Sequence, residues 1–152
     1  MAGQRPVEGG RALLFERLVD LAPGEGESQP FLLHDRDGLK ASVAAELAAL
    51  LATRLSRPLA PPPGRERTTL DYGIPDAAGL APGDAEGCAA FAAEIRAAIQ
   101  AFEPRLVAPR VALSPDPARS DRLLARIEAD LRCGGEMEPV SFALALGSHD
   151  ES

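Results

Sequence analysis

The stretch Leu123-Leu124-Ala125-Arg126-Ile127-Glu128-Ala129-Asp130-Leu131-Arg132-Cys133, followed by Gly134-Gly135, decides how this chain folds. Residue propensities alone favour a helix, because Leu, Ala, Arg and Glu dominate the stretch. The order of the residues says otherwise. Leu123, Ala125, Ile127, Ala129, Leu131 and Cys133 alternate with Leu124, Arg126, Glu128, Asp130 and Arg132, and only Leu124 breaks the apolar/polar order. Alternation sends successive side chains to opposite faces of a strand, whereas a helix repeats roughly every 3.6 residues. Gly134-Gly135 is a hairpin-type turn. Beyond it Val140, Phe142, Leu144 and Leu146 alternate with Ser141, Ala143 and Ala145. The reading is a β-hairpin that pairs 123–133 with 137–146.

Working back from the hairpin, residues 107–113 read as a short strand, and Pro109 suits an edge because it lacks an N–H to donate. Before it, Phe91, Ile95, Ile99 and Phe102 recur at helical spacing. Asp84 is the expected N-cap of that helix. Pro104 ends it, because proline disfavours helical geometry at the preceding residue. Residues 39–55 form a second helix, with Val43, Leu47, Leu50 and Leu51 on its apolar face. Asp35-Arg36-Asp37-Gly38 reads as a turn ahead of it, and Pro58 and Pro61-Pro62-Pro63-Gly64 as a stiff connector behind. Residues 68–74 read as an ordered, irregular segment that lays Tyr72 on the body.

Further upstream, residues 11–21 place Leu14, Leu18 and Leu21 on one helical face, and residues 22–30, rich in Pro, Gly, Glu and Ser, form a tether. Isolated helices shorter than about 12 residues are marginal in water, so this one docks either on its own body or on a partner. The expected fold class is therefore α+β: N-terminal helices packed on a C-terminal three-stranded antiparallel sheet. The expected organisation is an N-terminal arm with a docking helix over 1–30, one domain over 31–147, and a polar tail over 148–152.

Composition limits the function. Aromatic residues are only 4% of the chain, so Leu, Ile, Val and Ala carry the core. Apolar burial contributes about 25 cal/mol per Å², and Ala offers little area, so partners are expected to add stability. The net charge is −7 and no Lys/Arg run occurs; a nucleic-acid binder needs a basic footprint, so that class is excluded. The first ten residues hold no apolar run of the kind a secretory signal needs. No stretch of about 18 apolar residues is present, so no membrane insertion is expected. Cys88 and Cys133 lie far apart and suit reduced, small core residues.

The chemistry on offer is thin. Ser148-His149-Asp150 cannot form a relay, because a triad is built across a fold and neighbours cannot aim at one another. Residues around Gly38 fail a calcium-loop pattern, since Leu33 and Ala44 fall where its ligands belong. His34, Cys88, Cys133 and His149 lack metal-ligand spacing, and no phosphate-binding glycine motif appears. No metal, cofactor or catalytic residue is expected. Glu103 stands out: a carboxylate at a helix C-terminus is disfavoured, so it is either paired with an Arg or a helix-end accident.

Several pieces recur in a family order. They are Leu13-Leu14-Phe15-Glu16-Arg17-Leu18, Ser42-Val43 leading to Leu50-Leu51-Ala52-Thr53-Arg54, and Leu70-Asp71-Tyr72-Gly73-Ile74-Pro75-Asp76. Ile99-Gln100-Ala101-Phe102-Glu103-Pro104-Arg105-Leu106 and Pro139-Val140-Ser141-Phe142 follow. In this order they resemble the TssE family of type VI secretion baseplate proteins, phage-wedge, gpW-like proteins often labelled lysozyme-like. Ala52 departs from the pattern, where the family usually carries Asn.

The resemblance implies a non-enzymatic, cytoplasmic wedge component that works with TssF, TssG and TssK and helps start the contractile sheath. It implies that Glu103, Pro104 and Arg105 are the assembly contact. Leu14, Leu18, Leu21 and Tyr72 are the expected partner-docking residues. The corner at Pro104 is expected to leave Glu103 and Arg105 exposed, so that the isolated domain barely depends on them. The competing classes are a peptidoglycan-hydrolase accessory protein, which needs export and a carboxyl of raised pKa, and a free-standing acidic adaptor, which would not need the ordered motifs.

Overall fold

The computed structural model describes residues 10–11, 33–55 and 64–146. Among the described residues, two α-helices are followed by a three-stranded antiparallel sheet, so the fold is α+β. A two-residue ladder comes first: β1 (Gly10–Arg11) pairs antiparallel with β2 (Leu33–His34). Arg11 is therefore extended, where the sequence pattern starts a helix. The arm residues Leu14, Leu18 and Leu21 lie outside the described residues.

Helix α1 spans Arg36–Ala52. It starts earlier than expected because Asp35 caps it: the carboxylate accepts from Gly38 N at 2.8 Å. The stretch read as a turn is thus the cap and first turn of the helix, with Asp37 near its positive end. Leu39, Val43, Leu47 and Leu50 are buried along one face. At Thr53 the backbone becomes extended, and Arg54 forms a parallel bridge with Ile74. Helix α2 spans Ala85–Phe102 and buries Phe91, Ile95 and Ile99. Asp84 is its N-cap, accepting from Gly87 N at 2.9 Å.

Strands β3 (Leu106–Pro115), β4 (Leu123–Cys133) and β5 (Glu136–Ala145) form the sheet in the order β3-β4-β5. The central strand follows its sequence pattern closely. Leu123, Ala125, Ile127, Ala129, Leu131 and Cys133 are all buried, and Arg126, Glu128, Asp130 and Arg132 are exposed. Cys133 faces Glu136 across Gly134 and Gly135, whose φ angles are 56° and 96°. Positive φ at both central positions is what a two-residue I′ turn requires, and glycine adopts it without strain.

β3 carries a bulge between Val107 and Arg110. Ala108 there has φ 49°, a left-handed conformation rare for a residue with a side chain. The bulge lets Pro109, which has no N–H for the ladder, sit buried on the edge strand.

The core gathers Leu39, Val43 and Leu47 from α1, Ile95 and Ile99 from α2, and Ile127 and Leu131 from β4. Burying one such side chain stabilises by about 1.5–3 kcal/mol. Val140, Phe142 and Leu144 of β5 are half-buried against this core. Cys133 is buried, whereas Cys88 is half-exposed.

Candidate functional site: an ion-pair corner

The helix-to-sheet corner holds a buried polar cluster. Glu103 is the C-cap of α2, with its N–H still donating to Ile99 O at 2.8 Å. Pro104 stops the helix, and Leu106 N turns back to donate to Glu103 O at 3.1 Å. This tight reversal brings two side chains together that would point apart on a helix. Arg105 Nε donates to Glu103 Oε1 at 2.7 Å, and Arg105 Nη2 donates to Glu103 Oε2 at 2.7 Å. The backbone N–H of Arg105 adds a bond to Oε1 at 3.2 Å. The pair is a bidentate fork, with side-chain exposures of 4% for Glu103 and 13% for Arg105.

Two further contacts lock the fork. Arg105 Nη1 donates to Ser42 Oγ of α1 at 2.9 Å, and Ser42 is itself buried. Arg132 N of β4 donates to Arg105 O at 2.9 Å. One residue thus joins α1, the end of α2 and the central strand. The expectation that Glu103 and Arg105 stand exposed on a stiff corner is corrected here. Each charge is met by the other inside the domain, because Pro104 folds the chain back rather than projecting it outward. Of the two readings of Glu103, pairing with an Arg is the one found.

Tyr72 lies at the same corner. Its ring meets Phe102, the last residue of α2, edge-on with centroids 5.2 Å apart. Burial raises the pKa of the Tyr72 hydroxyl above the usual phenol value, and the negative charges of Glu46 and Glu103 raise it further. The approach of Tyr72 depends on its neighbour. Gly73 has φ 112°, and a Cβ there would come within 2.5 Å of Thr53 O. This close passage lets Ile74 N donate to Thr53 O, and Leu55 N donate to Ile74 O, both at 2.9 Å.

Asp71 completes the segment from below. It is buried, accepts from Thr68 N at 2.9 Å and from Arg65 Nη2 at 2.6 Å, and so holds a 3-10 turn at Thr69–Asp71. Arg67 ties the same segment to α2 through Glu94 at 2.9 Å.

Sequence reasoning named Glu103, Pro104, Arg105 and Tyr72 but missed Ser42, Asp71 and Gly73 as working parts. Ser42 lies 63 residues from Arg105, a contact with no local signal. The glycine was readable in principle, since a lone Gly inside an alternating run marks a close backbone approach.

A separate groove of about 670 Å³ runs between the end of α1, residues 74–80 and the open end of the hairpin. Among the described residues no group of His, Cys, Asp and Glu is placed to hold a metal ion. No described helix is long and apolar enough to cross a membrane.

These features define a class of protein: a small α+β structural module whose buried polar residues fasten its own elements together. The match to known families is more specific. The family model for baseplate wedge protein gp25 matches residues 37–136, and the chain belongs to that family. The matched span includes α1 from its second residue, the ion-pair corner and the turn of the hairpin. The family is one of structural baseplate components. No curated protein matches the chain. Among solved structures, a chain in "The baseplate complex from the type VI secretion system" is similar at 14% identity. The likeness covers 74% of this chain and 97% of that one, with a TM-score of 0.51, and concerns the fold.

Proposed function

We propose that this protein is the wedge component of a type VI secretion baseplate, a cytoplasmic part that helps to start the contractile sheath. The observation that carries the reading is the wedge-family match over 37–136, which takes in both the Tyr72-Gly73 segment and the Glu103-Pro104-Arg105 corner. The fold likeness to a chain of a type VI baseplate complex supports it. TssF, TssG, TssK and the sheath are the partners proposed.

Glu103, Pro104 and Arg105 serve assembly by holding a surface in shape. A surface that is rigid before binding loses less entropy when it binds. The bidentate fork fixes the angle between α2 and the sheet, and Ser42 fixes α1 to both. Leu14, Leu18 and Leu21 of the arm, with Tyr72 of the body, are the proposed docking residues.

The test is a deletion strain carrying a fluorescent sheath subunit. Sheath foci should vanish on deletion and return with the wild-type chain. Foci that persist without the protein would end the reading.

A further inference from the structure

We propose that Glu46 and Tyr72 form a receptor for an arginine side chain of a wedge partner, beside the internal Glu103–Arg105 pair. This rests on the wedge reading above and names the chemistry of the contact.

The argument starts from where charge is spent. Glu103 and Arg105 neutralise one another through two short bonds, so the fork brings no net charge to the corner. Glu46 stands one helical turn beyond Ser42, on the same face of α1, because residues four apart on a helix are neighbours. It is half-buried, yet among the described residues it makes no ion pair and no side-chain hydrogen bond. The other side of the corner is bounded by Tyr72 and Phe102, both also half-buried, in edge contact at 5.2 Å. Ser42 touches Arg105 and Phe102 adjoins Glu103, so Glu46 and Tyr72 each neighbour a residue that meets the fork. The negative fields of Glu46 and Glu103 both reach the Tyr72 hydroxyl, which supports this placement.

Among the described residues, the corner therefore offers a carboxylate without an ion-pair partner, beside an aromatic ring. The guanidinium built into it, Arg105, is bound to Glu103 and Ser42. A partner guanidinium fits both halves. Its planar fork pairs with a carboxylate while its face stacks on an aromatic ring, and an ammonium reproduces only the charge. Partial burial strengthens such a pair relative to one in open water. An acidic or apolar partner segment would leave Glu46 worse off on binding than before.

The experiment uses the full chain and a recombinant TssF–TssG complex, with affinity measured by biolayer interferometry at low and high salt. Glu46→Gln should weaken binding about tenfold at low salt, equivalent to about 1.4 kcal/mol, and flatten the salt dependence. Its melting temperature should stay at the wild-type value. Tyr72→Phe should bind almost as wild type, because the ring and not the hydroxyl stacks, whereas Tyr72→Leu should lose affinity. Blocking the arginines of TssF–TssG with phenylglyoxal should bring the wild type down to the level of Glu46→Gln. Acetylating their lysines should leave the Glu46-dependent share intact. Wild-type binding that is unchanged by Glu46→Gln, or a Glu46-dependent share lost on lysine acetylation, overturns the receptor but leaves the wedge reading standing. No binding of the wild type to TssF–TssG overturns both.

Discussion

Lys40 and Ser42 stand two residues apart on α1, yet the ion pairs they serve differ in kind. Ser42 holds Arg105 of a fork that is almost wholly buried. Lys40 reaches across to Glu138 of the hairpin at 2.6 Å, with side chains 37% and 25% exposed. Arg36 adds looser contacts to Glu136 at 3.4 Å and Glu138 at 3.6 Å, where solvent is close. Residues two apart point to different sides of a helix, so α1 is fastened on two faces by two mechanisms. The buried fork has fixed geometry and little solvent to replace a lost partner. The surface cluster has water and salt competing for Arg36, Lys40 and Glu136, although one oxygen of Glu138 is buried. Similar ion pairs therefore set the shape of the domain on one side and only adjust its stability on the other.

The sharpest way to break this contrast is Arg105→Ala. It strands the Glu103 carboxylate in a site that is 4% exposed on its side chain. Removing one partner of a buried pair costs about 3–5 kcal/mol. Chemical denaturation should show the loss, and Arg105→Lys should recover only part of it, because an ammonium cannot make both fork bonds and reach Ser42. A double variant with Glu103→Leu and Arg105→Met should be more stable than Arg105→Ala alone, since neither charge is left buried. Equal stability of Arg105→Ala and wild type would show that the fork is not a fastening.

Gly73→Ala comes next. It tests whether the backbone seam at the end of α1 matters as much as the fork. The new Cβ would lie 2.5 Å from Thr53 O, a backbone atom that cannot swing away, at φ 112°. Overpacking and a left-handed backbone together cost about 2–4 kcal/mol. Tyr72 should lose its seat on Phe102, which tyrosine fluorescence can follow.

Ser42→Ala sharpens the comparison further. It removes one bond from the fork and leaves the ion pair in place. A hydrogen bond to a charged group contributes about 1.5–3 kcal/mol, and the cost falls at the low end if water enters the space. A thermal shift smaller than that of Arg105→Ala, with the fold unchanged by circular dichroism, is the expected result.

The difference between the two fastenings also explains what the sequence could reveal. The hairpin was legible because alternation is local: each of the inward residues from Leu123 to Cys133 is buried, and Gly134-Gly135 turns where the pattern breaks. The pairing strand begins at Glu136 rather than 137, since the two-residue turn sets the register. The helix stripes were legible for the same reason. The start of α1 was misplaced because Asp35-Arg36-Asp37-Gly38 has turn composition, although its first residue is a cap. The fork was half legible. Glu103 was marked by its helix-end position, but residues two apart across a proline give no sign that they meet. The bulge at Ala108 had Pro109 as its one sign, whereas the Ser42 contact had none, because it follows from how α1 settles against distant parts.

Lys40→Ala should give the smallest effect, and its dependence on salt and pH is the informative part. Lys40 is the largest influence holding the Glu138 carboxyl below its usual pKa, through its hydrogen bond and its charge; burial opposes this and Arg36 helps it. A carboxyl depressed in the folded state contributes stability at pH values above its unfolded pKa, and that contribution is lost as pH falls through the folded value. Asp71 behaves in the same direction for a different reason. The Thr68 main-chain N–H lowers its pKa most, against the opposing effect of burial, with the Thr68 hydroxyl and Arg65 assisting. The wild type should therefore lose stability on acidification below about pH 4, near the ordinary carboxylate range. Lys40→Ala should remove only the Glu138 share of that loss, and the Asp71 share should persist because it is set by the turn itself. At neutral pH the variant should melt slightly below the wild type in low salt and alongside it in high salt, since solvent-exposed pairs are screened. The fork should show far less salt dependence, because its side chains are only 13% and 4% exposed. A neutral-pH loss for Lys40→Ala as large as that for Arg105→Ala, unchanged by salt, would mean that the hairpin side of α1 is as firmly fixed as the corner.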